Sequence, residues 1–154
     1  MPKPITELTK DLRKFIEEGR AAAGPKIVMS LQEEGPWWTG NFGELWELGM
    51  QPIKPTVNNE REWEKLSSPS PRNISERPAL KVPFGSPLYI GNLSDYAGFA
   101  VNRSGAKKDG QTYAEFARDR RITPPQGVRW YDVYTLNGGL FDDLSKGFAS
   151  VQIR

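Results

Sequence analysis

The stretch "ITELTKDLRKFIEEGRAAAGPKIVMSLQEE", residues 5–34, decides how the rest of the chain is arranged. Its apolar residues Ile5, Leu8, Leu12, Phe15 and Ile16 recur every three or four positions, which is one face of an amphipathic helix. Pro4 suits a helix start, because the first turn has no use for the N–H that proline lacks. The spacing predicts a helix over 5–22. Gly24-Pro25 is then expected to break or kink it, since proline removes a donor and disfavours α geometry in the residue before it. Ile27, Met29 and Leu31 would form a second helical segment ending at Gly35, so that 5–34 is an N-terminal helical region.

Outward from this region, "EEGPWWTGNFGELWEL" (33–48) contains two adjacent tryptophans in a turn bounded by Pro and Gly. Pro36 to Asn41 is read as a helix-to-strand turn. Adjacent residues of an extended turn point to different sides, so one of Trp37 and Trp38 would pack beneath the sheet and the other face a subunit interface. Phe42, Leu45, Trp46 and Leu48 then enter a strand. Residues 49–87 hold seven prolines around "SSPSPRN". No periodicity survives that density of breakers, and a connection this long in a compact domain usually has a task, so 49–87 is expected to be a Pro-rich extended arm.

"PLYIGN" is the clearest strand, with alternation that stops at Gly91-Asn92. "LSDYAGFAV" should turn into a short helix with Ser94 as N-cap, and "TYAEFARDRR" into another with Tyr113, Phe116 and Ala117 on one face. "GVRWYDVYTL" favours a strand by its Val, Trp and Tyr content, with a helix that buries Trp130, Val133 and Tyr134 as the competing reading. Leu140, Phe141, Leu144 and Phe148 fit a closing helix. The expected fold class is therefore α/β in the α+β sense. An antiparallel or mixed sheet is flanked by the N-terminal amphipathic helix and short C-terminal helices, in one domain spanning 1–154.

Composition removes whole classes of chemistry. The 154 residues contain neither Cys nor His, so thiol nucleophiles, disulfides, thiolate-held zinc and imidazole bases are excluded. The 21 Lys+Arg against 19 Asp+Glu leave a charge of +2, too small for a dedicated nucleic-acid binder. The polar, charged start and the lack of any run of 18 apolar residues lead us to expect a soluble chain without signal peptide or membrane contact. Three N-x-S/T triplets, at Asn73, Asn92 and Asn102, are expected to be chance matches.

No P-loop, dinucleotide fingerprint, EF-hand loop or nucleophile elbow occurs. The carboxylates Glu33, Glu34, Glu44, Glu47, Asp95, Asp142 and Asp143 could supply acid/base catalysis, but none comes with a second feature that would locate a reacting centre. We expect no catalytic residues, metal or cofactor, and no enzyme. Arg118, Arg120 and Arg121, with Lys107 and Lys108 in the preceding loop, are candidate contacts to DNA phosphates. Asp119 interrupts that run, and a helix end favouring cations explains it more simply. The aromatics could offer stacking platforms for sugars or single strands, but they are not interleaved with Lys or Arg. A core or a subunit interface accounts for them better; Trp37, Trp38, Trp63, Tyr96, Phe99 and Trp130 are the candidate interface residues.

Three segments in order resemble the tail-completion family of tailed bacteriophages, which includes tail terminators and minor tail or neck components. The first is the N-terminal helix running into "GPWWTGNFGELW", where Pro36, Thr39, Gly40, Asn41 and Trp46 stand at family positions and Trp37-Trp38 replace a Val-Asp pair. The second is "LYIGNLSDYAGFAVN", similar through Ile90, Asn92, Leu93, Tyr96 and Ala97, with Val101-Asn102 where a Glu often follows. The third is "PPQGVRWYDV", through Pro125, Gly127 and Val128. The resemblance implies a non-enzymatic virion protein that forms a ring, commonly a hexamer, at the head-proximal end of the tail tube. It would be assembled in the host cytoplasm, with itself, the tail-tube protein and neck or connector proteins as partners and packaged DNA as a non-specific contact. The alternatives are a head-to-tail stopper or adaptor lining the DNA channel and, from another class, a small carbohydrate-binding module or hydrolase.

Overall fold

A computed structural model describes residues 4–37, 41–56, 72–101, 110–120 and 124–151. Among them are six helices and one two-stranded antiparallel sheet, a mixed α/β architecture. Helix α1 runs unbroken over Ile5–Glu34, about 45 Å at 1.5 Å per residue. The expected break at Gly24-Pro25 does not occur. Gly24 has no Cβ to clash with the proline ring, and its bare backbone lets Leu48 and Leu88 approach, a Cβ there lying 3.2 Å from Leu48. Pro25 itself is buried. Burial of Ala23, Ile27, Val28 and Leu31 around it supplies the packing that offsets one lost hydrogen bond.

The chain leaves α1 at Gly35, makes the single turn α2 (Asn41–Glu44), and only then enters β1 (Trp46–Gly49). The strand expected from Phe42 therefore begins four residues later, because the adjacent Leu45 and Trp46 break the alternation that a strand starting at Phe42 would need. After the long Pro-rich excursion, β2 (Tyr89–Asn92) returns antiparallel to β1, with Trp46 opposite Asn92 and Gly49 opposite Tyr89. Asn92 fixes this corner: its amide donates to the Phe42 carbonyl at 2.7 Å and accepts from the Ser94 N–H at 2.9 Å.

Three short helices follow. In α3 (Ala97–Ala100) the N-cap residue is Tyr96 and no side chain caps the helix. Ser94, expected as the cap, instead accepts the Tyr96 N–H on its hydroxyl, two residues before the N-cap position. Helix α4 (Tyr113–Arg120) opens with a reciprocal capping box, in which Thr112 and Glu115 each accept the other's backbone N–H. It buries Tyr113 and Ala117, with Phe116 half-buried. Helix α5 (Trp130–Leu136) occupies the segment whose composition favoured a strand. Burial decides here over propensity: a strand would put Asp132 on the same face as Trp130 and Tyr134, whereas the helix buries that pair and leaves Asp132 to meet Arg129 at the surface.

Helix α6 (Gly139–Ala149) closes the fold along α1. Phe148 meets Phe15 with ring centroids 5.3 Å apart and covers Gly19, while Gly147 lies against the backbone of Ala23. At the other end, Tyr134 stacks on Gly139 and interacts with Ser30, so α6 runs antiparallel to α1. The core between these elements and the hairpin is rich in rings. Phe42 sits at its centre, edge-on to Trp46 and Trp130 and stacked on Tyr96.

Candidate subunit interface

The aromatic residues singled out as interface candidates divide sharply. Trp130 has no exposed surface, and its indole N–H donates to the Ala100 carbonyl at 3.0 Å. Phe99 is buried edge-on against Tyr113 and Phe116. Trp37 is buried flat on Gly43, with the Arg72 guanidinium 6.0 Å above its ring. These three have their partners inside the chain, which leaves them little surface of their own. Tyr96 is half-buried on Phe42. Trp38 and Trp63 lie outside the described residues.

Of the basic candidates, Arg118 projects from α4 with its side chain 76% exposed and 3.5 Å from Asp119, its own neighbour. Arg120 ends the same helix, its side chain outside the description, and Lys107, Lys108 and Arg121 also fall outside it. The structure thus brings no cluster of these cations together among the described residues. Nor do the described Asp and Glu side chains form any group of three able to hold a metal, and no described helix is long and apolar enough to cross a membrane.

The described flanks of the Pro-rich segment are fastened to the scaffold by side chains that bond to backbone. Arg20 of α1 donates to the carbonyls of Val82, Pro83 and Ser86. Arg72 donates to the carbonyls of Gln32, Glu33 and Gly35, which the end of α1 leaves without helical partners. Arg77 reaches the carbonyls of Glu44 and Trp46. The fully buried Gln32 amide pairs with both backbone groups of Ser75. A proline-rich segment has few N–H groups to offer a sheet, so Arg20 and Gln32 of α1 hold it by its carbonyls, and its own Arg72 and Arg77 reach carbonyls of the scaffold. An open groove of about 470 Å³ runs where this flank crosses α1 at Pro25, between Lys26, Met29, Glu76 and Arg77. Arg77 in its wall is already bonded to backbone, which leaves little directed chemistry there.

What the sequence reading missed is an apolar surface in two places. Ile5, Leu8 and Leu12 are 81%, 52% and 58% exposed. Leu136 and Phe141 are 76% and 72% exposed. Because α6 is antiparallel to α1 and meets it only from about Phe15 onward, the first group projects beyond α6 on the free N-terminal turns of α1. The second group sits at the α5–α6 corner, beside the C-terminal end of α1. The signal for the first was visible: the 5–16 stripe continues at Gly19 and Ala23 along the same face, longer than an eleven-residue partner helix can cover.

No family model, curated protein or solved structure matches this chain.

Proposed function

We propose that this chain is a structural subunit of a phage tail-completion ring, a tail terminator that ends tail-tube polymerisation and joins the tail to the neck. The observation that supports this reading is the pair of unlike apolar patches at opposite ends of a helix about 45 Å long. Single exposed apolar residues are ordinary, whereas large ones gathered into patches mark interaction surfaces. Two different patches on one subunit are what a head-to-tail, heterologous contact requires, and such contacts close into a ring when the rotation between copies divides a full turn. The sequence resemblance carried by "GPWWTGNFGELW", "LYIGNLSDYAGFAVN" and "PPQGVRWYDV" supplies the virion context. In this reading the mechanism is geometric. The ring seats on the last ring of the tube, blocks further addition and presents its far face to the neck, without catalysis or cofactor.

The test is assembly itself. Light scattering after size exclusion, with negative-stain imaging in the presence of tail tubes, is expected to show rings or decorated tube ends. A protein that stays monomeric at tens of micromolar and never binds tubes would rule the reading out. Retention on DNA that vanishes at modest salt would instead move the chain to a channel-lining adaptor role, because phosphate contacts release counterions.

A further inference from the structure

We infer that Ile5, Leu8 and Leu12 of one copy seat on Leu136 and Phe141 of the next copy, so that the free N-terminal turns of α1 are the male half of the contact between subunits. The inference rests on the ring reading and names the surfaces that would build the ring. Three observations carry it.

The first is continuity of one face. Ile5, Leu8 and Leu12 lie in line with Phe15, Gly19 and Ala23, and α6 already covers the latter three through Phe148 and Gly147. The exposed turns are therefore the unused end of a helix-packing stripe, and helical side chains such as Leu136 and Phe141 are the kind of surface that stripe accepts within its own chain. The second is position. The projecting turns and the α5–α6 corner lie at opposite ends of α1, so they cannot meet within one copy. A rotation about an axis beside the molecule, which carries the start of one α1 round to the α5–α6 corner of the next, brings the first of one copy to the second of another. The third is charge. Residues 5–14 carry Lys10, Arg13 and Lys14 against Glu7 and Asp11, a small positive excess, whereas residues 129–146 carry Asp132, Asp142 and Asp143 against Arg129 and Lys146, a small negative excess, with Arg129 3.6 Å from Asp132 and Asp143 buried. Opposite ends of the molecule thus have opposite sign, which steers a head-to-tail encounter and disfavours head-to-head pairing of two α1 ends.

A chain without cysteine makes the test clean. Leu8→Cys and Phe141→Cys are both at exposed positions, where substitution leaves the fold intact. Mixed in equal amounts under mild oxidant, the two variants are expected to give mainly the 8–141 disulfide, at least tenfold over the 8–8 and 141–141 products by peptide mass spectrometry. The double variant should give a ladder of linked chains on a non-reducing gel, and the linking rate should fall several-fold as salt is raised from low to physiological strength. A disulfide needs Cβ atoms about 3.5–4.5 Å apart, so a high yield reports the contact itself. Predominant 8–8 product would overturn the inference in favour of two α1 ends pairing with each other. Wild-type rings seen by imaging with no 8–141 product would overturn it while leaving the ring reading standing. Absence of both rings and disulfides would remove the two together.

Discussion

At the C-terminal end of α1 the Tyr134 hydroxyl donates to Asp143 at 2.7 Å in a place from which water is nearly excluded. Burial pushes the Tyr134 pKa far above its ordinary value of 10, and the bond to Asp143 pushes it the same way. Tyr113 is also raised well above 10, by burial, with Arg72 pulling weakly in the other direction. The folded chain therefore keeps both protons at pH values where the unfolded chain loses them. The stability from these neutral hydroxyls is complete below pH 10 and is lost as pH rises above it, by up to about 1.4 kcal/mol per pH unit for each tyrosine. Denaturant midpoints measured from pH 8 to 11.5 should be level at first and then fall. Tyr134→Phe should remove one share of that alkaline slope. At neutral pH it should cost about 1–3 kcal/mol, because the buried Asp143 carboxylate loses its donor. An unchanged slope in the variant would show that the hydroxyl is not held neutral by the fold.

The elements meet most closely where α6 crosses α1, and there glycine is required on both sides. A Cβ at Gly147 would stand 2.6 Å from the Cα and the N of Ala23, backbone atoms that cannot swing aside. A Cβ at Gly19 would collide with the Phe148 ring, which has some freedom to turn. On helix propensity alone, Gly147→Ala should stabilise by up to about 1 kcal/mol. Overpacking of about 1–3 kcal/mol outweighs it, so the expected outcome is net destabilisation, with a melting temperature lower by several degrees for a domain of this size. Gly19→Ala should cost less. A melting temperature raised by Gly147→Ala would mean that the two helices can separate without loss. This crossing also shows what sequence patterns deliver. The stripe from Ile5 to Ile16, the strand at "YIGN", the helix at "TYAEFARDRR" and the closing helix were legible because each has a period of its own. Pro25 and α5 were not, because their outcome depends on packing: Gly24 against Leu48 and Leu88 in one case, Trp130 in a ring-lined core in the other.

For the molecule as a whole the candidate surface was less legible than the fold. Aromatic content pointed to Trp37, Phe99 and Trp130, which a core of this size needs for itself, whereas the exposed residues include Ile5, Leu8, Leu12 and Phe141, which periodicity assigns to buried faces. Only the length of α6 relative to α1 separates the covered from the uncovered part of the α1 face, and it depends on the unbroken passage through Pro25. The Pro-rich segment is similarly decided by non-local contacts. With few periodic side chains to anchor it, its flanks depend on Arg20, Arg72 and Arg77, whose acceptors are carbonyls 31–66 residues away in sequence. Arg72 has the most to lose. It satisfies three carbonyls at the end of α1 and lies over the Trp37 ring, so Arg72→Ala removes charge-assisted bonds and a cation–π contact at once. Lys in its place keeps the charge but not the flat guanidinium over the Trp37 ring, and should rescue only part of the loss. Because α1 and α6 pack without help from Arg72, the effect should be local. Hydrogen exchange in Arg72→Ala is expected to rise at least tenfold over residues 72–77 and the last turn of α1, while amides near Gly19 and Gly147 keep wild-type protection. Uniform loss of protection across both helices would instead mean that the docked flank is part of the cooperative core.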